Sequence, residues 1–182
     1  MQEIVSQYKT GQGLLDQVID KARHHRDYMQ RALEAMKQKG INIFDNNYKP
    51  IPNTKPEKFM AAFTDAAAKT FQPYCDAILK EIPGCIYALP IDKNGYLPTH
   101  HSHVAKPMTG NYEQDLLQSR DKRIYLSNQT EGRRATSKAP MLLKTFMRDT
   151  GEVINDLVMP IQVDNKHWGA LIMGLNPEIF TD

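Results

Sequence analysis

Cysteine is scarce in this 182-residue sequence, with Cys75 and Cys85 as its two examples. Neither belongs to a CxxC pair or a metal-type spacing, which argues against a disulfide-dense scaffold and a cysteine-based zinc module. One Cys75–Cys85 disulfide stays possible; the reading adopted is two buried, inert thiols in a reducing compartment. Charge of one sign is also lacking. The 23 basic and 21 acidic residues are interspersed and leave a formal charge of +2, so no strong field for nucleic acid or an anionic membrane is expected. No window approaches the roughly 18 consecutive apolar residues of a membrane helix. The opening MQEIVSQYKTGQG lacks the apolar centre of a signal peptide. No GxSxG elbow, phosphate loop or dinucleotide fingerprint occurs. The expectation is a soluble, cytoplasmic chain that is not an enzyme and contacts neither nucleic acid nor membrane.

What is present reads as an α+β fold. Hydrophobic residues make up 41% and charged ones 24%, as in a globular protein, and the length suits one domain with a helical extension. From Leu14 to Met36 a seam of Leu15, Ala22, Met29 and Met36, flanked by Val18, His25 and Ala32, predicts an amphipathic helix that could pair within or between chains. Gly40 follows as a stop signal. Residues 41–55 read as a loop. Thr54 and Glu57 have capping-box spacing, and Pro56 suits a first turn, so a second helix is predicted from there to about Glu81, kinked or divided at Pro73.

At Pro83-Gly84 the period changes to extended. Cys85 to Ile91 is a strand candidate, Asp92-Lys93-Asn94-Gly95 a hairpin turn, and Tyr96 to Pro98 its partner. A short helix at 110–119 and a strand-like segment at 122–126 follow. Met141–Arg148, Glu152–Val163 and His167–Leu175 then form a meander through turns at 149–151 and Asp164-Asn165. These elements predict a five- to six-stranded antiparallel sheet behind long N-terminal helices.

Three groups carry candidate chemistry. His100, His101 and His103 have side chains suited to hydrogen bonding, to an organic ligand, or to a metal or haem iron. Arginine forks bind carboxylates and phosphates, and Arg120, Lys122, Arg123, Arg133, Arg134, Lys138 and Arg148 supply cations. A solvated surface is the plain reading for each, with an Arg148–Asp149 ion pair as the exception. Trp168 reads chiefly as core, Asp156 as solvent-facing by alternation, and His24 and His25 as partly exposed helix histidines.

The string Asp92-x-Asn94-Gly95-Tyr96-Leu97-Pro98-Thr99-His100 is followed by Arg120-x-Lys122-Arg123-Ile124 and by Pro140 to Glu152. Asp156-Leu157, Pro160-Ile161 and His167-Trp168-Gly169 come after these, and Phe44-Asp45-x-x-Tyr48-Lys49-Pro50-Ile51-Pro52 precedes them. In this order and spacing, over about Phe44 to Gly174, they resemble the PAS/Cache-like sensory module at the cytoplasmic C-terminal end of some bacterial methyl-accepting chemotaxis proteins. The resemblance implies a PAS-like antiparallel sheet, a role in chemotaxis signal transduction and a homodimer formed through the flanking helices. The chain then divides into an N-terminal helix and linker at 1–43, for dimerisation and signal transmission, and a sensor domain at 44–182. A small-molecule ligand is expected between the sheet and the crossover from His100 to Ser119. His100, Arg120 and Arg123 would frame it, with Tyr87, Phe146 and Trp168 as apolar lining. The alternatives are a haem or metal sensor using His100, His101 or His103, and a ligand-free dimerisation module.

Overall fold

A computed structural model of the chain describes residues 13–125, 134–147 and 151–180. Helix α1 (Leu14–Gln38) buries Leu15, Val18, Ile19, Ala22, His25, Met29, Leu33 and Met36 along one stripe, the pattern set by 3.6 residues per turn. That stripe lies on the chain's own sheet. Arg26 Nη1 donates to the Pro160 carbonyl at 3.1 Å, and Gln30 Oε1 accepts the Gln162 N–H at 3.0 Å. The seam therefore packs within the chain. The helix stops at Gly40, whose φ of +89° suits glycine and whose N–H bonds the Lys37 carbonyl.

The second helix, α2 (Thr64–Glu81), begins later than its capping-box signature suggests. Thr54 Oγ1 instead accepts the Lys58 N–H at 3.0 Å and donates to the Ile51 carbonyl at 2.7 Å, closing a turn. The same hydroxyl chemistry serves turns and helix caps alike. Residues expected in the helix pair instead as a two-stranded ribbon, β1 (Lys49–Pro50) with β2 (Phe59–Met60). The helix runs through Pro73 undivided.

The main sheet joins β3 (Cys85–Asp92), β4 (Leu142–Met147), β5 (Val153–Val163) and β6 (Lys166–Leu175) in the order β3-β6-β5-β4, all antiparallel. The fold is α+β. The β5–β6 hairpin turns on Asp164 and Asn165, both at positive φ (52° and 62°), as a tight two-residue turn requires. Four strands, not five or six, share this sheet among the described residues. The Asp92–Gly95 turn does form, with Asp92 Oδ1 accepting the Asn94 and Tyr96 N–H groups at 2.9 Å each. Tyr96-Leu97 then pairs outside the sheet with 122–125, through Leu97 N–H to Arg123 O at 3.0 Å and Tyr125 N–H to Gly95 O at 2.8 Å. Gly95 is required there: a Cβ would sit 2.0 Å from the Tyr125 carbonyl oxygen. Helix α3 (Tyr112–Gln118) is capped by Asn111, whose side chain accepts the Gln114 N–H.

The core is continuous from α1 and α2 onto the sheet. Trp168 is 1% exposed, meets Phe63 edge-on at 6.0 Å and donates its indole N–H to the Ile43 carbonyl at 2.8 Å. Cys75 and Cys85 are free, buried thiols, and burial pushes the Cys85 pKa up to about 12. No described helix is long and apolar enough to cross a membrane.

Candidate functional site

The site is founded on one row of residues across the sheet. Tyr87 on β3 and Asp156 on β5 both pair with Gly174 on β6, so the three share one face. The row works because its centre has no side chain. A Cβ on Gly174 would lie 2.3 Å from Tyr87 Cε1, in the space that the tyrosine ring fills. Lying across that gap, Tyr87 donates its hydroxyl to Asp156 Oδ1 at 3.0 Å. Arg134, in a helical turn at 134–136, donates Nη1 to Asp156 Oδ1 at 2.5 Å and to the Tyr87 hydroxyl, with its guanidinium 5.5 Å from the ring centre.

Both charged groups are buried, Asp156 at 3% exposure and Arg134 at 5%. This corrects two expectations. Asp156 does not face solvent, because β5 is covered on both faces over most of its length and alternation loses its meaning there. Arg134 is not a surface residue either. Burial works against its charge, but Tyr87 and Asp156 outweigh it and raise the arginine pKa.

Above this floor lies a cleft of about 290 Å³, bounded by Tyr87 and Ile172 below, Arg134 and Tyr125 at one side, and His100, His103 and Arg120 from the crossover. The histidines have distinct tasks. His101 is fully buried; its Nε2 accepts the Ala88 N–H at 3.0 Å on the edge strand β3. Its proton therefore sits on Nδ1, which donates to Asp76 Oδ1 at 3.1 Å. Both nitrogens are engaged, and His101 serves to close the sheet edge. His100 Nδ1 accepts the His101 backbone N–H at 2.8 Å. Burial, reinforced by His101 and Arg120, drives its pKa down to about 2, so it is neutral and carries its proton on Nε2. His100 is among the residues that line the cleft. His103 is exposed and stacks on His101 at 5.9 Å.

Of the residues expected to frame a ligand, Tyr87, His100 and Arg120 meet in the cleft. Arg120 is held by donation from Nε to the Leu117 carbonyl at 2.9 Å. Arg123 stands one layer out, with its guanidinium 5.3 Å from the Tyr125 ring centre and Nη1 on the Leu116 carbonyl. Trp168 lies in the solid core and not among the cleft residues. The Phe146 side chain, Arg148 and Asp149 lie outside the described residues. The sequence reading named Arg134 among the candidate cations but took it as solvated, and it missed Tyr125 and Asp76. For Asp156 one signal existed, an acid inside an apolar strand.

The three-histidine metal reading meets an obstacle, since both His101 nitrogens and His100 Nδ1 already hold hydrogen bonds within the chain. Among the described residues no group of three or more His, Cys, Asp or Glu could hold a metal ion. The cleft, at about 290 Å³, lies at the small end of ligand pockets, which run from roughly 300 to 1,000 Å³.

No family model matches this chain. No curated protein matches it either. Among solved structures it is similar to an extracellular ligand binding receptor from Desulfohalobium retbaense DSM5692, with a TM-score of 0.39 and 14% identity. The match covers 65% of this chain and 21% of the receptor, so the chain spans about a fifth of that protein. A likeness of this size carries no functional argument.

His25 also departs from expectation, being buried in the interface between helices. It meets the Tyr74 hydroxyl at 2.5 Å and a Glu81 carboxylate oxygen at 3.1 Å, while Tyr74 stacks on Tyr28 at 3.9 Å. Burial lowers its pKa, with Glu81 opposing.

Proposed function

We propose that the chain is a sensory domain that binds a small organic carboxylate in the cleft between Tyr87 and the crossover, and that binding, not catalysis, is its task. The observation that carries this reading is the neutral, buried His100, which joins Arg120 in a cleft that no carboxylate lines among the described residues. A carboxylate takes a forked pair of N–H donors from arginine and a third from imidazole. Arg134 is already compensated by Asp156; it adds rigidity and positive potential without an uncompensated buried charge.

The route outward is short. His101 follows His100 and is tied to Asp76 on α2. Helix α2 meets α1 through Tyr74, His25 and Tyr28. A ligand bridging His100 and Arg120 pins both ends of the crossover and biases this path by its differential affinity for the two states. The resemblance to sensory modules of methyl-accepting chemotaxis proteins supports a place in cytoplasmic chemotaxis signalling. A partner copy would engage the polar side of α1, because the apolar stripe already covers the sheet.

The test is a thermal-shift screen of mono- and dicarboxylates on wild type and on His100→Asn and Arg120→Met. Asparagine keeps an acceptor for the His101 N–H and removes the Nε2–H donor. Stabilisation of wild type by a carboxylate, lost in both variants, supports the reading. A carboxylate response retained in both variants overturns it.

A further inference from the structure

A second hollow, of about 760 Å³, opens near the β5–β6 turn, away from the His100 cleft. Four segments distant in sequence bring lysines to it: Lys37 from the last turn of α1, Lys93 from the turn after β3, Lys138 from the segment before β4, and Lys166 from the start of β6. All four are exposed. The Lys93 and Lys166 ammonium groups each lie 5.9 Å from the centre of the Phe44 ring, which lines the same hollow. Lys37 is paired with Asp164, and among the described residues no carboxylate belongs to the hollow's lining. His167, also in the lining, donates Nε2–H to the Ala135 carbonyl at 2.8 Å and leaves Nδ1 buried without a partner.

This concentration is a product of the fold. The chain as a whole carries a formal charge of +2, yet four cations of separate origin converge, one of them paired with Asp164, where no described acid lines the wall. Like charges gathered in this way favour a multiply charged anion. Lysine ammonium groups act as mobile point charges and suit phosphate oxygens spread over a ligand, whereas the single arginine fork of the other cleft suits one planar carboxylate. The charge is confined to a hollow and does not run as a stripe along a face, which fits a small molecule better than a nucleic-acid strand.

We infer that the Lys37–Lys93–Lys138–Lys166 hollow is a second binding site, for a small molecule carrying more than one phosphate group. The inference is independent of the carboxylate reading of the His100 cleft.

The experiment titrates the full chain with pyrophosphate by calorimetry, against sodium chloride at matched ionic strength. Lys93→Gln/Lys166→Gln is the test variant, since both side chains are exposed, and Lys69→Gln/Lys80→Gln on α2 is the control of equal charge change. Saturable pyrophosphate binding in wild type and control, weakened about tenfold or more in the test variant, is the expected result. Circular dichroism and an unchanged melting temperature confirm that the variant is folded. The inference is overturned if pyrophosphate acts no differently from chloride, if the test variant binds as well as wild type, or if the control loses as much.

Discussion

Toward Asp92 the main sheet is sealed by aromatic rings, whereas toward Cys85 the same strands carry a buried carboxylate, met by Arg134 from the turn at 134–136, and a cleft. In the sealed half the polar tips of large side chains are satisfied by backbone: the Trp168 indole by the Ile43 carbonyl, the Tyr96 hydroxyl by the Phe59 carbonyl at 2.8 Å. Those bonds fix the rings inside this half, and the lysine hollow opens beyond them at Lys93 and Lys166. In the open half, Arg134, Asp156 and Tyr87 satisfy one another, and His100 lines the cleft. One half is organised around aromatic packing and the other around a buried ion pair beside a cleft, although β3, β5 and β6 run through both.

Four substitutions or conditions test this contrast. The largest effect is expected from Arg134→Met, which leaves Asp156 charged and buried and costs about 3–5 kcal/mol. Adding Asp156→Leu should recover much of that loss, and chemical denaturation of both variants checks the pair. Trp168→Ala in the sealed half is expected to cost a similar or slightly smaller amount, about 3–5 kcal/mol. It should leave carboxylate affinity unchanged at temperatures where the variant is folded, which binding calorimetry reads. Gly174→Ala drives a methyl group into the Tyr87 ring; about 1–3 kcal/mol of overpacking is expected, again from denaturation.

The smallest effect is the pH dependence of the open half. Burial holds the folded-state pKa of His100, and of His101 despite the opposing Asp76, below the 6.5 of a free imidazole. Below that value the unfolded chain binds more protons than the folded one. Stability from these neutral imidazoles is therefore complete above about pH 6.5 and is lost as pH falls toward the folded value. Asp92 acts in the opposite sense: burial raises its pKa from 3.8 to about 6, so acidification through that window favours the folded state. His100→Asn should flatten the fall in melting temperature between pH 6.5 and 5. An unchanged slope in that variant contradicts the assignment of the acid response to His100.

Much of the architecture is legible in the sequence, and the exceptions have physical causes. Helix α1 announces itself because one apolar stripe covers one surface, and the Asp164-Asn165 turn because a two-residue hairpin demands positive φ. Asp156 misleads because β5 is buried on both faces, where an acid marks a buried partner instead of the solvent side. Thr54 misleads because a hydroxyl that accepts a backbone N–H does so in a turn as readily as at a helix start. Tyr96 leaves the sheet because the chain at 122–125 offers it a closer ladder, a pairing that local pattern does not reveal. For the site, His100, Arg120 and Tyr87 were recognisable from residue type and from the resemblance to chemotaxis sensory modules. Arg134 was not, since nothing local separates a buried arginine from a solvated one.

The most direct test of the account is calorimetric titration, at pH 7.5, of the carboxylate that most raises the melting temperature of the wild-type chain, repeated on His100→Asn. Saturable binding at a single site is expected in wild type, with at least about a tenfold weaker Kd in the variant, the loss of roughly one charge-assisted hydrogen bond. Equal affinity in the two proteins would contradict it.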